Sequence, residues 1–432
     1  MNAKQLAKYI ADGGADAVFS RLYGADCIDA QRARYITAAS NFESLYGNDL
    51  EVRVFSVPGR SEICGNHTDH NHGRVIAASV DLDVIAVAAA SNDDIARIKS
   101  EGFPEDVVNL KEYTEPDKSM YFTSAAIIAG MADGLRTQQI NVRGLRAYTT
   151  SNVYKGSGLS SSAAFEVLVG TMFSDFYGGG SLSPVMNAKL SQRAENLYFG
   201  KPCGLMDQTA CAVGGFITID FADPASPVIE KLPFDLTEAG YALCIVNTGG
   251  NHADLNEDYA SVPAEMKAVA AYFGKEVLRD CSEAGVTAKI PELREKVGDR
   301  AVMRALHFFE ENRRVGAAAD ALRSGDVGEF LAQIRASGES SFKYLQNVYT
   351  TKNVKEQGLS LALMLTERCL SGPITGHDVS AWRVHGGGFA GTIQAFVPAS
   401  LVDAYKAALD AAFGDGACRV LHVRNDGAFR LV

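Results

Sequence analysis

A chain of 432 residues, 47% hydrophobic and 22% charged, carries enough apolar material for more than one core, which excludes both disorder and a single small domain. Its 52 acidic against 41 basic side chains leave a net charge of −11 and deny it the broad positive field that a nucleic-acid backbone requires. Eight cysteines scattered without a Cys-x-x-Cys pair, and the lack of any apolar run of about 18 residues or of a leader-like N-terminus, exclude a disulfide framework and a membrane span; the cytoplasm is expected.

Two helical patterns fill the first 47 residues, one through Leu6, Tyr9 and Ile10, the other through Arg32, Tyr35, Ile36 and Phe42. Glu51 to Val57 alternates as a strand and is expected to stop at Pro58-Gly59. A polar loop from Arg60 to Arg74 follows, then two apolar strand-like runs, Val75 to Val80 and Val84 to Ala89, with Ile95 to Ile98 as a further strand. Ser124 to Met131 reads as a helix. Gly144 to Thr150 then reads as a strand, followed by the turn Gly156-Ser157-Gly158-Leu159-Ser160-Ser161-Ser162 and an apolar helix through Phe173.

Strand, Gly/Ser turn and helix in that order form a phosphate cradle. Glycine lets the backbone approach an anion, and the first N–H groups of the helix, with its dipole, favour negative charge. No lysine closes the turn, so the Walker pattern is excluded. A flexible linker is the bland alternative, but linkers seldom open straight into an apolar helix.

Asn187 to Phe199 is amphipathic and ends at Gly200. Val213 to Phe221 is a strand, and the Pro-containing stretch Asp223 to Pro233 marks the expected boundary between a unit at 1–225 and one at 226–432. The second unit opens with the strand Tyr241 to Val246. It turns helical over Ala264 to Phe273, with Pro263 suited to the helix start, then over Val302 to Leu322, Val327 to Tyr344 and Leu359 to Cys369. Gly386 to Gly391, a strand at Thr392 to Val397, a helix at Leu401 to Phe413 and a strand at Arg419 to Val423 close the chain. Without a strict βαβ repeat, the fold class is α+β.

The loop Pro58 to Gly73 is the densest polar cluster. His67, Asp69, His70 and His72 are metal-ligand types, but no distant cluster completes a coordination sphere. Mixed donors and acceptors around a carboxylate also suit sugar hydroxyls, each of which takes one of both. Asp207 alone reads as a turn or cap residue.

Three stretches in order change these weights: Pro58-Gly59-Arg60 with Gly65, His67, Thr68 and Asp69; Gly158-Leu159-Ser160-Ser161-Ser162-Ala163; and Gly386-Gly387-Gly388-Phe389 with Gly391. Together they resemble the GHMP kinases, which phosphorylate small molecules with ATP. Cys203 to Gln208 and Asn247-Thr248-Gly249 narrow the likeness to the galactokinase branch. The resemblance implies an N-terminal mixed-sheet lobe and a C-terminal ferredoxin-like, helical lobe with the active site between them. It implies Asp207 as catalytic base on the anomeric hydroxyl and Arg60 as stabiliser of the transferred phosphoryl group. It implies Ser161 or Ser162 with Glu195 as Mg2+ ligands, and His67 and Asp69, with Asn66 and His70 beside them, as sugar-binding residues. ATP phosphates would lie on Gly156 to Ser162, with Gly386 to Gly391 closing the site. A small-molecule sugar and ATP are the expected partners of a monomer or weak homodimer.

Three positions depart from the branch: Asn66 replaces a glutamate, His70 a tyrosine, and Gly338 a basic or aromatic residue. A glutamate facing a C6 carboxylate about 4 Å away costs up to ~4 kcal/mol. Asn66 removes that cost, which leaves a galacturonate 1-kinase, and a non-catalytic sugar-binding relative, as alternatives to a galactose kinase.

Overall fold

The computed structural model describes residues 1–153, 158–250, 255–371 and 380–432. The first 47 residues fold as three helices, α1 (Ala3–Ala11), α2 (Asp16–Tyr23) and α3 (Ile28–Tyr46), where two were expected. Gly24, at φ +90°, separates the second from the third. Leu6, Ile10, Phe19, Tyr35 and Phe42 from these helices bury against Val54, Ile85 and Val87 on one face of a sheet.

That sheet is organised by two long antiparallel strands, β1 (Arg53–Cys64) and β2 (Arg74–Ala90). The expected stop at Pro58-Gly59 does not occur. The register shifts between Pro58 and Arg60, and such a bulge accommodates a residue with no ladder donor. Nor is β2 broken between its two apolar runs. The charge of Asp83 within it is buried but paired: Arg34 donates at 2.6 Å and Arg424 at 3.2 Å, with the Tyr23 and Ser56 hydroxyls completing the shell.

The far half of β2 pairs with β5 (Leu145–Ser151) and the near half with β6 (Phe216–Asp220). β5 runs parallel to β3 (Ile95–Ser100), which pairs with β4 (Glu105–Asn109). β6 pairs with β7 (Val228–Leu232), so the first sheet continues beyond position 225. On its second face lie α4 (Ser124–Thr137), α5 (Ser161–Tyr177), α6 (Pro184–Arg193) and α7 (Met206–Val213), which bury Ala129, Ala164, Leu168, Leu190 and Ala210 against Val57, Ala77 and Ala86.

A second, antiparallel sheet has the order β11-β8-β10-β9, with β8 (Tyr241–Asn247), β9 (Ala381–His385), β10 (Thr392–Pro398) and β11 (Cys418–Leu421). Between β8 and β9 the chain forms α8 (Asn256–Tyr272), α9 (Glu283–Ala288), α10 (Ile290–Val297), α11 (Asp299–Ser324), α12 (Val327–Ser340) and α13 (Gly358–Leu370). Pro263 lies inside α8 rather than at its start, and the additional N-terminal turns carry Tyr259. After α14 (Val402–Phe413) and β11, the chain returns to the first sheet as β12 (Phe429–Arg430), paired with β1. Antiparallel pairing dominates and the helices segregate, as an α+β fold requires.

The two sheets meet at the end of β1. Arg383 of β9 donates to the Ile63 carbonyl at 2.9 Å and to Glu62 at 3.0 Å, while Gln394 of β10 donates to Ile63 at 3.1 Å and accepts from Ser61 at 3.0 Å. Among the described residues, no helix is long and apolar enough to cross a membrane.

Candidate active site

Beside that junction Arg60 leaves β1 and grips Asp207 with both edges of its guanidinium, Nε to Oδ1 at 2.8 Å and Nη2 to Oδ2 at 2.7 Å. A planar fork on a carboxylate fixes both partners in orientation. A third guanidinium nitrogen, Nη1, donates to the Gly158 carbonyl, and the Arg60 amide donates to Leu159 at 3.1 Å, so the strand is tied to the Gly/Ser turn. Gly59 is required here: a Cβ would meet the Leu159 carbonyl oxygen at 2.8 Å. Asp207 itself stands in the first turn of α7, not in a loop. Partial burial favours its protonated form, but the Arg60 charge and the Ser160 hydroxyl more than offset this, and its carboxyl titrates below the ordinary aspartate range.

Ser160, in a left-handed conformation at φ +58°, ends the turn before α5. Its hydroxyl makes no cap bond to α5 and donates to Asp207 instead. The cradle is therefore linked to the Arg60–Asp207 pair by Gly158, Leu159 and Ser160; Gly156 and Ser157 lie outside the described residues.

Glu195 sits on a π-helical turn, Ala194–Phe199, that follows α6. Its Oε2 accepts from Gln208 at 2.8 Å and its Oε1 from the Lys201 ammonium at 3.0 Å. Gln208 also donates to Glu166 at 3.0 Å. Glu166 lies four residues after Ser162 on α5, so both share one helix face with Glu195 close by. Burial, reinforced by the Glu195 charge, pushes the Glu166 carboxyl up to about 8. One buried carboxylate beside serine hydroxyls is an all-oxygen donor set that fits Mg2+, which keeps several waters and takes phosphate oxygens rather than a protein cage. Among the described residues, no three His, Cys, Asp or Glu side chains converge as they would around a transition metal.

The polar loop is held from beneath by α11. Its buried Glu311 accepts from the amides of Gly65 at 3.1 Å and Asn66 at 3.3 Å, and from Ser337, while His307 Nε2 meets the Asn66 carbonyl at 3.0 Å. Gly65, at φ +104°, passes so close to Arg74 that a Cβ would meet its carbonyl oxygen at 2.5 Å. Asn66 is fully buried. Its amide donates to Glu62 at 2.9 Å and to the Gly386 carbonyl at 2.8 Å, and its oxygen accepts from Asn347 at 2.7 Å. It faces the protein. His67 Nε2 meets the Gly387 carbonyl at 2.9 Å, and Tyr259 donates to Gly388 at 2.6 Å, which fastens the Gly386 to Gly391 turn over the loop. Asp69 and His70 do reach open space: with His72, Cys203, Gly204 and Leu205 they line a cavity of about 280 Å³.

The geometry thus brings Arg60, Asp207 and Ser160 into contact, sets Ser162 and Glu195 on neighbouring elements, opens Asp69 and His70 to a cavity, and turns Asn66 inward. Sequence reasoning missed Glu166, Lys201, Tyr259, Glu311 and Asn347. Glu166 carries a signal, an acid on the buried face of an apolar helix one turn beyond the serines. Lys201 meets Glu195 six positions away across the π-helical turn, while the others acquire their part through contacts distant in sequence.

A model of the GHMP kinases N-terminal domain matches residues 125–215, and one of the galactokinase galactose-binding signature matches residues 40–90. The chain is 32% identical over 409 residues to a galactokinase of Streptomyces coelicolor, covering 92% of this chain and 98% of that one. With a galactokinase of Actinobacillus pleuropneumoniae it shares 29% over 368 residues, 85% of this chain and 90% of that one. The crystal structure of Lactococcus lactis galactokinase complexed with galactose matches at a TM-score of 0.74 and 23% identity, covering 90% of this chain and 98% of that one. Methanococcus jannaschii mevalonate kinase matches at 0.60 and 16%, covering 86% and 98%.

Proposed function

Since the chain belongs to the galactokinase family of GHMP kinases, we propose that it transfers the γ-phosphoryl group of ATP to the anomeric hydroxyl of galactose. The Arg60–Asp207 fork tied to the Gly158 to Ser160 turn is the observation that carries this reading, because it sets a carboxylate and a fixed cation beside a phosphate cradle.

In this reading Asp207 orients the anomeric hydroxyl and accepts its proton as the bond to phosphorus forms. Arg60 holds that carboxylate ionised and faces the charge gathering on the transferred group. Ser160 fixes the second oxygen of Asp207, so the base has one orientation when the sugar arrives. The α5 N-terminus, with the Ser161 and Ser162 hydroxyls, receives the nucleotide phosphates. Ser162 and Glu195 would hold Mg2+, which would supply neutralisation of the phosphate charge. Asp69 and His70 bind sugar hydroxyls from the open side, and His67 is a shaping residue through Gly387. Asn66, spent on Glu62, Gly386 and Asn347, supports the wall rather than reading the sugar's C6 group, which favours galactose over galacturonate. Eight free thiols agree with a reducing, cytoplasmic setting.

ADP release from MgATP, measured against galactose, galacturonate, glucose, N-acetylgalactosamine and no sugar, tests the reading. Turnover with galactose is expected. Turnover confined to galacturonate would shift the substrate, and silence on every sugar would favour a binding protein without turnover.

A further inference from the structure

The mechanism above leaves Lys201 without a part. Its amide donates to the Glu195 carbonyl at 3.1 Å, closing the π-helical turn, so the chain itself delivers its side chain to the Glu195 carboxylate. The ammonium lies 3.0 Å from Oε1 of Glu195, whose side chain is 3% exposed while that of Lys201 is 56% exposed. A fixed, buried anion is thus covered on its open side by a cation on a flexible stem. Gln208 donates to the other carboxylate oxygen at 2.8 Å and the Cys203 thiol also bonds to Glu195, so among these partners it is Lys201 that supplies the positive charge a divalent ion would replace.

As a structural staple this pair is weak, because a half-exposed lysine is screened and loses rotamer freedom when held. As a displaceable cover it is well matched to its place. It neutralises Glu195 when no divalent ion is present, next to a second buried carboxyl, Glu166, that shares Gln208. It is also weak enough to yield to a double charge.

We propose that Lys201 is a built-in competitor of the divalent cation: its ammonium holds Glu195 until a metal ion displaces it. The proposal rests on Glu195 being a metal ligand of the phosphotransfer reaction. It assigns Lys201 the setting of metal affinity rather than a step of the chemistry.

Mn2+ alone, titrated into the nucleotide-free full-length protein and followed through the EPR signal of the free ion, reads this directly. Lys201→Met is expected to bind Mn2+ roughly fivefold more tightly than the wild type, the loss of a half-exposed competing charge. Lys201→Arg, which restores the cation, should return to the wild-type value. The gain should vanish in the Lys201→Met/Glu195→Gln double variant. Equal Mn2+ affinity in wild type and Lys201→Met overturns the proposal, as does a gain that survives the loss of Glu195. Sugar-dependent ADP release by the wild type is a separate readout: if it persists while Lys201→Met leaves Mn2+ binding unchanged, the proposal falls and the phosphotransfer reading stands.

Discussion

The two sides of the candidate site are built on opposite principles. On the α5/α7 side, Arg60 and Ser160 both bond to Asp207, yet the Asp207 side chain remains 34% exposed, so charge is paired and still reachable. On the loop side, Asn66 is fully enclosed and its hydrogen-bonding capacity is met by Glu62, Gly386 and Asn347. A group that must exchange partners during a reaction is left partly open, whereas a group that shapes a wall is saturated. In the proposed reaction the contrast separates residues that carry chemistry from residues that only place it.

The sharpest break in this contrast comes from the first side. Asp207→Asn keeps the shape but removes the proposed base, and its kcat should fall by roughly 10²- to 10⁴-fold in the ADP-release assay with little change in melting temperature. Parent-level turnover would remove Asp207 from the mechanism.

Next in size is a pH effect that both sides share. His385, beside Ser61 and Thr392, is held down to about 3, and His307, beneath Asn66, to about 4, chiefly by burial. Both are neutral when folded, while in the unfolded chain they protonate near 6.5. The unfolded state then binds more protons, so the stability they contribute is complete above about 6.5 and is lost as pH falls toward the folded values. The loss is on the order of 2 kcal/mol for each histidine by pH 5. Urea melts at pH 7.5, 6 and 5 should show it, and His307→Asn should flatten the trend by about half.

The loop side alone is tested by Glu311→Ala. This strips the amides of Gly65 and Asn66 of their buried acceptor and is expected to cost about 3 kcal/mol in urea unfolding. Smallest is Asn66→Ala. Loss of its bonds to Glu62, Gly386 and Asn347 should cost about 1–2 kcal/mol of stability while the preference for galactose over galacturonate stays unchanged. A switch in sugar preference would mean that Asn66 turns toward the substrate.

What the sequence determined was local. Strand, Gly/Ser turn and apolar helix around Ser160 follow from short-range propensity, and the likeness in ordered motifs singled out Arg60, Asp207 and Glu195 before any contact was visible. Elements were harder where tertiary partners override local signals. Pro58 and the charge of Asp83 argue for breaks that a bulge and a shell of arginine and hydroxyl groups remove, and β4 and α7 are too short to be periodic. Only the folded chain decided which polar residues face the open cavity. Arg60 meets Asp207 across 147 positions and Asn66 meets Asn347 across 281, separations over which no spacing rule operates. Side-chain direction there is fixed by which buried partners must be satisfied, a property of packing between the two sheets and α11 that no single stretch of sequence contains.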